Sequence, residues 1–400
     1  MKKTLAVLLS VLLLALSLPF AVAEPASGLR FREDGTFTIL NLADTQDDAH
    51  PAPDMLRLLE LAVETADPDL IVINGDLVED RRYGDNLSDD QPTAEGVNVY
   101  DKNGEIDHDR TRENVEKAIS CVMGTLEKYE VPYAIALGDN DRKVGLSSEE
   151  WIEILSAYPH CVFFDESPDS AGGVDYHVSV KGADGTDKLT VWLMDTGRSG
   201  VTDEQVNWYK ETAAAIAAEN SGTPVPAFSF QHIHTDDIGN LFIPCKATDE
   251  GAKKSADGYV RLDRTVSSGY NFFSYEPGAR TYQFEGWKAS GDVMGAFFGH
   301  MHVEGFSGVW DGIELGFTYG CEMAKTGPWG FRVLKMNEDD VRSYSNETYQ
   351  YKGSARLGTA KAEKYEDGPS QAERGRVVAF LLKFVNLFRS LISAIVYLFR

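Results

Sequence analysis

Short apolar runs alternate with amphipathic segments along the first half of the chain. TFTILNLA at 36–43 and DLIVIN at 69–74 are typical of buried strands. Between them, 54–66 has apolar residues at three- and four-residue intervals, which predicts a helix that buries one face. A second helix near 111–129 and a strand at 133–137 repeat this order. The pattern predicts β-α-β units with parallel strands.

The second half of the chain continues in the same way. Ser147 and Glu150 form a capping box that starts a helix, and Thr202 and Gln205 form another. The Asp-Gly pair at 311–312 predicts a tight turn between two strands. The class is therefore α/β. The remaining predicted strands are DYHVSV, LTVWLMD, PAFSFQ, VMGAFFG, GVW and IELGFTYG.

A long polar insertion lies between Glu79 and Arg110 and contains VYDKNGEID. Its alternating acids suggest a calcium loop. The EF-hand loop, however, needs glycine at its sixth position, and Gly104 would be the fourth. A hairpin turned on Asn103-Gly104 is the favoured interpretation.

The N-terminus has the features of a secretory signal peptide. Lys2 and Lys3 precede the apolar run LAVLLSVLLLALSLPF, and AVAE supplies small residues for cleavage after Ala23. We therefore predict a signal peptide at 1–23 and a secreted protein. The alternative is an uncleaved membrane anchor.

The C-terminus differs in composition from the rest of the chain. Residues 374–400 carry basic residues and no acid, and their polar positions recur at three- and four-residue intervals. This predicts a basic amphipathic helix lying on an anionic membrane surface, because Lys383 and Arg389 would be costly in a spanning helix. The alternative is that this helix docks on the domain itself.

Residues 352–373 are predicted to be a polar linker, and residues 24–351 are predicted to form a single large domain.

Composition and charge narrow the possible partners. The chain is 43% hydrophobic, which is enough for a full core, and its net charge is −25. Such an acidic body disfavours nucleic acid as a partner, whereas clustered carboxylates suit divalent cations. Four cysteines are present: Cys121, Cys161, Cys245 and Cys321. Disulfides and buried free thiols both stay open.

Each predicted strand of the first half ends in a carboxylate. Asp44, Asp76 and Asp139 follow the runs at 36–43, 69–74 and 133–137. In an open α/β sheet the carboxyl ends of the strands meet at one crevice, where ligands bind. Taken alone, these residues are also common in plain turns.

Two strands of the second half end in histidines. FSFQHIH supplies His232 and His234, and AFFGHMH supplies His300 and His302. A single buried histidine is often only hydrogen-bonded. Four histidines together with three strand-end aspartates match the ligands of two borderline divalent ions.

These motifs, in this order, resemble the signature of the calcineurin-like metallophosphoesterases, and in particular their short purple-acid-phosphatase-like branch. The likeness covers roughly 36–340 and extends to VPYAIALGDND, VWLMDTG, QVNWYKE and GAFFGHMHVEGFSG. It implies a central β-sandwich flanked by helices in a four-layer α/β/β/α arrangement, with the metal site at the carboxyl ends of the strands.

The resemblance also implies ligands for two divalent ions, such as Mn, Fe, Zn or Mg. Asp76 would bridge the ions, and a hydroxide shared by the two ions would attack the phosphorus of a phosphate ester. One ion would be bound by Asp44, Gln46, Asp76 and His302, and the other by Asp76, Asp139, His232 and His300.

Three positions depart from the family pattern. Gln46 stands where histidine is usual and would weaken that site or favour Mn, Mg or Ca. Asp139 replaces the usual asparagine and adds negative charge. Asn140 occupies the place of the catalytic histidine, and an amide cannot donate a proton as a general acid. We hypothesise that His234 partly replaces that acid, the alternative being a surface histidine.

The sequence therefore predicts a secreted, membrane-associated phosphoesterase that hydrolyses phosphomonoesters or diesters with two metal ions. The alternative is a degenerate relative that binds metal or phosphate without turnover.

Overall fold

The computed structural model describes residues 28–80, 96–272, 277–323 and 327–366. The predicted signal peptide at 1–23 and the predicted helix at 374–400 lie outside these ranges. None of the helices within them has the length and hydropathy needed to span a bilayer.

Helices and strands alternate through the first half of the chain, as the hydrophobic pattern predicts. The elements are β1 (Thr36–Leu42), α1 (Pro53–Ala66), β2 (Leu70–Ile73), α2 (His108–Leu126), β3 (Tyr133–Ile135), α3 (Asp139–Lys143), α4 (Ser148–Leu155), β4 (Cys161–Val162), β5 (Tyr176–Lys181) and β6 (Asp187–Met194).

The second half contains two further helices among many strands. The elements are α5 (Asp203–Glu219), β7 (Ala227–Gln231), β8 (Phe242–Pro244), β9 (Lys253–Ser255), β10 (Gly258–Leu262), β11 (Ser267–Tyr270), α6 (Gln283–Ser290), β12 (Val293–Phe298), β13 (Gly305–Trp310), β14 (Ile313–Phe317), β15 (Gly330–Asn337), β16 (Ser345–Lys352) and β17 (Lys361–Lys364).

The strands form two seven-stranded sheets and a small three-stranded sheet, β8-β10-β9. The first sheet has the order β17-β16-β15-β1-β2-β3-β4, and the second has the order β11-β13-β14-β12-β7-β6-β5. Strands β1 to β4 are parallel to one another, and so are β6, β7, β12 and β14. Each sheet therefore has a set of carboxyl ends that point the same way.

The two sheets pack face to face. Phe228, Phe230 and Phe297 of the second sheet join one continuous core with Ile39 and Ile71 of the first. Rings that lie about 6 Å apart fill this interface. Because successive strand residues face opposite sides, Phe298 lies on the other face of its sheet.

Helices cover the outer face of each sheet. Leu58 of α1, Val115 of α2 and Trp151 of α4 belong to the core of the first sheet. Tyr209 of α5 and Trp287 of α6 pack on the second. The predicted four-layer α/β/β/α arrangement is thus confirmed.

Local predictions also hold. Ser147 and Glu150 cap α4, and Thr202 caps α5. In the polar insertion, Tyr100 pairs antiparallel with Ile106 around the Asn103-Gly104 turn, which confirms the hairpin. All four cysteines are free thiols.

The C-terminal boundary of the domain differs from the prediction. Residues 361–364, predicted to be part of a polar linker at 352–373, form β17 and pair with β16 at the edge of the first sheet. Just before them, Tyr351, Ser354 and Ala355 all donate hydrogen bonds to Asp54 at the start of α1. The domain therefore extends beyond the predicted end at 351. The polar composition of this segment suggested a linker, but an edge strand of a sheet is largely exposed and can be polar as well.

Candidate metal centre

The carboxyl ends of strands from both sheets meet at one place. Asp44 and Asp76 follow β1 and β2, and Asp139 begins α3 just after β3. His232 follows β7 directly, and His300 lies two residues after β12. Parallel pairing keeps these strand ends level, which brings residues distant in sequence together.

Four of these residues form a compact cluster. Each offers one atom, and these atoms all lie within 4.8 Å of one another: Asp76, Asp139, His232 and His300. His232 Nε2 is 3.1 Å from Asp76 Oδ2 and 3.2 Å from Asp139 Oδ1. His300 Nδ1 is 3.2 Å from both Asp139 Oδ1 and His232 Nε2. Two oxygens and two imidazole nitrogens at this spacing suit a borderline divalent ion.

Asp44, Gln46 and His302 lie beside this cluster. His302 Nε2 is 3.8 Å from Asp44 Oδ1, and the Gln46 side-chain amide donates to Asp76 Oδ2 at 2.8 Å. Asp44 Oδ2 is buried and has no hydrogen-bond donor among the described residues. A buried carboxylate oxygen without a donor is costly, so it fits a position that a cation would complete.

A contact to the second ring nitrogen orients two of the histidines. His232 Nδ1 lies 2.8 Å from the carbonyl oxygen of Asn74, which leaves Nε2 facing the carboxylates. His302 Nδ1 lies 2.9 Å from Glu322 Oε2, which leaves its Nε2 facing Asp44. Histidine ligands of metals are commonly held in this way. Sequence analysis missed Glu322, which lies in a loop and carries no periodic or motif signal.

The backbone of the site is strained. Non-glycine residues rarely adopt positive φ, and such angles cluster at functional sites. Nearby glycines are also required, since a Cβ on Gly138 would lie 2.2 Å from Asp76 Oδ1. Five predicted ligands have positive φ: Asp44 (50°), Gln46 (20°), Asp76 (50°), His300 (70°) and His302 (41°).

Asn140 is held against the cluster by two hydrogen bonds. Its backbone N–H donates to Asp76 Oδ1 at 2.9 Å, and its side-chain amide donates to Asp76 Oδ2 at 3.0 Å. Asp141 points elsewhere and accepts from the backbone N–H groups of Leu77 and Gly138. Asp141 thus joins the loops after β2 and β3, and burial, with the charge of Asp76, raises its pKa to about 8.

Lys143, which sequence analysis also missed, contacts the cluster from the end of α3. Its ammonium pairs with Asp139 Oδ2 and donates to Asn140 Oδ1 at 2.9 Å. Burial lowers the pKa of Lys143, but Asp139 outweighs this effect and raises it.

The charges of the cluster depend on one another. Burial raises the pKa of Asp44. For Asp139, burial acts in the same direction, but hydrogen bonds with His232 and His300 hold its pKa below the usual value. Burial would lower the pKa of His232, and the charge of Asp76 raises it instead. Bound cations would offset the negative charge of the buried carboxylates in place of the histidines.

His234 lies apart from the four-residue cluster. It is only 3% exposed, so the alternative of a surface histidine is wrong. Its ring centroid lies 4.9 Å from that of Phe317 and 6.3 Å from that of Phe298, within the core of the second sheet. These contacts do not favour a role as a general acid, and that hypothesis stays untested.

The chain is similar to named plant proteins, although no family model matches it. It is 24% identical over 330 residues to "Probable inactive purple acid phosphatase 14" of Arabidopsis thaliana, covering 73% of this chain and 72% of that protein. It is 23% identical to "Probable inactive purple acid phosphatase 28" of the same plant, covering 74% and 72%.

Solved structures are similar at lower identity. A dimetal phosphatase from Danio rerio superposes with a TM-score of 0.45 and 12% identity, covering 83% of this chain and 99% of that one. A calcineurin-like phosphoesterase from Bacillus subtilis has a TM-score of 0.35 and 12% identity, covering 84% and 90%. Over about three quarters of its length, the chain thus resembles plant proteins that are named as purple acid phosphatases.

Proposed function

We propose that the chain is a metal-dependent phosphoesterase that hydrolyses phosphomonoesters or diesters. The observation that carries this proposal is the cluster of Asp76, Asp139, His232 and His300, whose ligand atoms lie within 4.8 Å of one another. Strained backbone and a buried carboxylate oxygen without a donor beside it support a site built to hold cations.

The protein residues would hold two ions. Asp76, Asp139, His232 and His300 would bind one; Asp44, Gln46 and His302, with Asp76 shared, would bind the other. Bound ions would supply a water of lowered pKa and positive charge for the phosphate oxygens. The carboxylates would fix that geometry, and Asn140 would hold Asp76 in place.

The cellular setting is also a proposal. The apolar run at 1–23 supports secretion, and the basic helix predicted at 374–400 supports attachment to an anionic membrane surface. Phosphate esters on such a surface would then be accessible substrates. The net charge of −25 supports the exclusion of nucleic acids from the domain surface.

One observation favours a second candidate, a relative that binds metal or phosphate without turnover. The side chain of Asn140 is already bonded to Asp76 and Lys143, and as an amide it has no acidic proton to give to a leaving group. The two plant relatives are named inactive.

The deciding test is hydrolysis of an aryl phosphomonoester and an aryl phosphodiester by the full chain with added Mn²⁺. Asp76→Asn should lower the rate by roughly 100-fold or more, because the shared ligand loses its charge. Asp184→Asn is the control, since Asp184 is an exposed carboxylate in the turn between β5 and β6. No hydrolysis by folded, Mn²⁺-loaded wild-type protein would favour the second candidate.

A further inference from the structure

The two basic residues at the end of α3 have different surroundings. Arg142 is largely buried and pairs with Asp195, which ties α3 to the end of β6. Lys143 is 37% exposed and reaches the metal centre instead. Its ammonium therefore lies between the buried carboxylates and the solvent.

The two carboxylate oxygens of Asp139 have different partners. Oδ1 lies 3.2 Å from His232 Nε2 and from His300 Nδ1, whereas Oδ2 pairs with Lys143. Asp139 and Lys143 are four residues apart, so both side chains lie on the same face of α3. One oxygen can therefore bind an ion while the other stays with the ammonium.

The ammonium also has a donor to spare. Of its three N–H groups, one faces Asp139 Oδ2 and one faces Asn140 Oδ1. Within the ranges that the structure describes, no third acceptor contacts it. A partly exposed ammonium with a free donor, beside a cluster proposed to bind cations, is suited to a phosphate oxygen.

We propose that Lys143 binds the phosphate group of the ligand and offsets the charge of Asp139 at the metal centre. This inference rests on the metal centre of the proposed function, but not on turnover. It assigns Lys143 two effects of opposite sign. Its positive charge weakens metal binding by repulsion, and it strengthens phosphate binding by a charge-assisted hydrogen bond.

The test measures binding of Mn²⁺ alone, and then of inorganic phosphate to the Mn²⁺-loaded full chain, by calorimetry. Lys143→Met should bind Mn²⁺ about tenfold more tightly, because one repelling charge is gone. It should bind phosphate about 10- to 100-fold more weakly. Lys143→Arg should keep most of the phosphate affinity.

A matched control is Lys117→Met. Lys117 pairs with Glu113 four residues away on α2, is exposed, and has no contact with the metal centre. It should bind Mn²⁺ and phosphate like the wild type. If Lys143→Met does not fold, Lys143→Gln serves in its place, with thermal unfolding as the check.

The outcomes of these binding measurements support or overturn the role of Lys143. Unchanged affinities, or Mn²⁺ and phosphate binding that weaken together, would overturn the role of Lys143, since a purely structural lysine would support both. Absence of Mn²⁺ binding by the wild type would overturn it together with the metal centre. Opposite shifts in a protein that hydrolyses nothing would support Lys143 and refute only the proposed activity.

Discussion

A buried carboxylate that is not among the proposed ligands should make the stability of the domain depend on pH. Asp175 precedes β5 and is fully buried. It accepts hydrogen bonds from Gln205 Nε2 at 2.8 and 2.9 Å and from the backbone N–H of Asp195 at 2.9 Å. Burial, followed by the charge of Asp195, raises the pKa of Asp175 to about 8.

The sign follows from proton binding. Between the unfolded pKa of about 4 and the folded pKa of about 8, the folded state holds a proton that the unfolded state has released. The free energy of unfolding therefore decreases as pH rises through this window. One proton contributes at most about 1.4 kcal/mol per pH unit, so the loss between pH 5 and 7.5 is about 3 kcal/mol.

Asp175→Asn removes this proton. Urea unfolding of the wild type and the variant, followed by circular dichroism from pH 5 to pH 7.5, should show the variant gaining about 3 kcal/mol relative to the wild type across the range. The comparison uses the change with pH, so a constant cost of the substitution does not matter.

Asp184→Asn serves as the control. Hydrogen bonds from Lys188 and Thr186 hold the pKa of Asp184 below its usual value, so its contribution is lost only as pH falls below about 4. Its curve should stay parallel to that of the wild type from pH 5 to pH 7.5. A parallel curve for Asp175→Asn as well would refute the argument from burial.

Two further predictions concern glycine and cysteine. Gly75 and Gly104 both have positive φ, but a Cβ on Gly75 would lie 2.5 Å from Gly138 N, whereas the space around Gly104 is open. Thermal unfolding should therefore show that Gly75→Ala lowers the free energy of unfolding by more than about 3 kcal/mol and Gly104→Ala by about 1 kcal/mol. Equal costs would contradict the packing argument. Burial raises the pKa of the Cys321 thiol to about 12, so iodoacetamide at pH 8 should leave it unmodified in folded protein while the partly exposed Cys245 reacts. Mass spectrometry of peptides checks this, and equal labelling of both thiols would contradict it.

Much of the metal centre could be predicted because its residues follow strands. Asp76 lies three residues after β2 and His232 directly after β7, and parallel pairing with β1 and β12 places the carboxyl ends side by side within each sheet. Lys143 and Glu322 could not be predicted in this way. They lie on a five-residue helix and in a loop, and only the tertiary fold brings them to the ligands.

The last strands were missed for a different reason. In β16, SNETYQYK has few apolar residues and most positions are only partly buried, so its pattern is close to that of a loop. It is stable as a strand because β15 and β17 flank it. The segment at 352–373 was predicted to be a linker for the same reason, because pairing with β16, and not composition, makes 361–364 a strand.

The position of β1 has a consequence during synthesis on the ribosome. It lies between β2 and β15, yet roughly 290 residues separate β1 from β15 in the chain. At ~5 to 20 residues per second, the partner strand follows ~15 to 60 s later. Through that interval the hydrogen-bonding edge of β1 lacks its native partner and is open to other chains. Nascent chains that stop before β15 should therefore be the species most prone to aggregate and most dependent on chaperones.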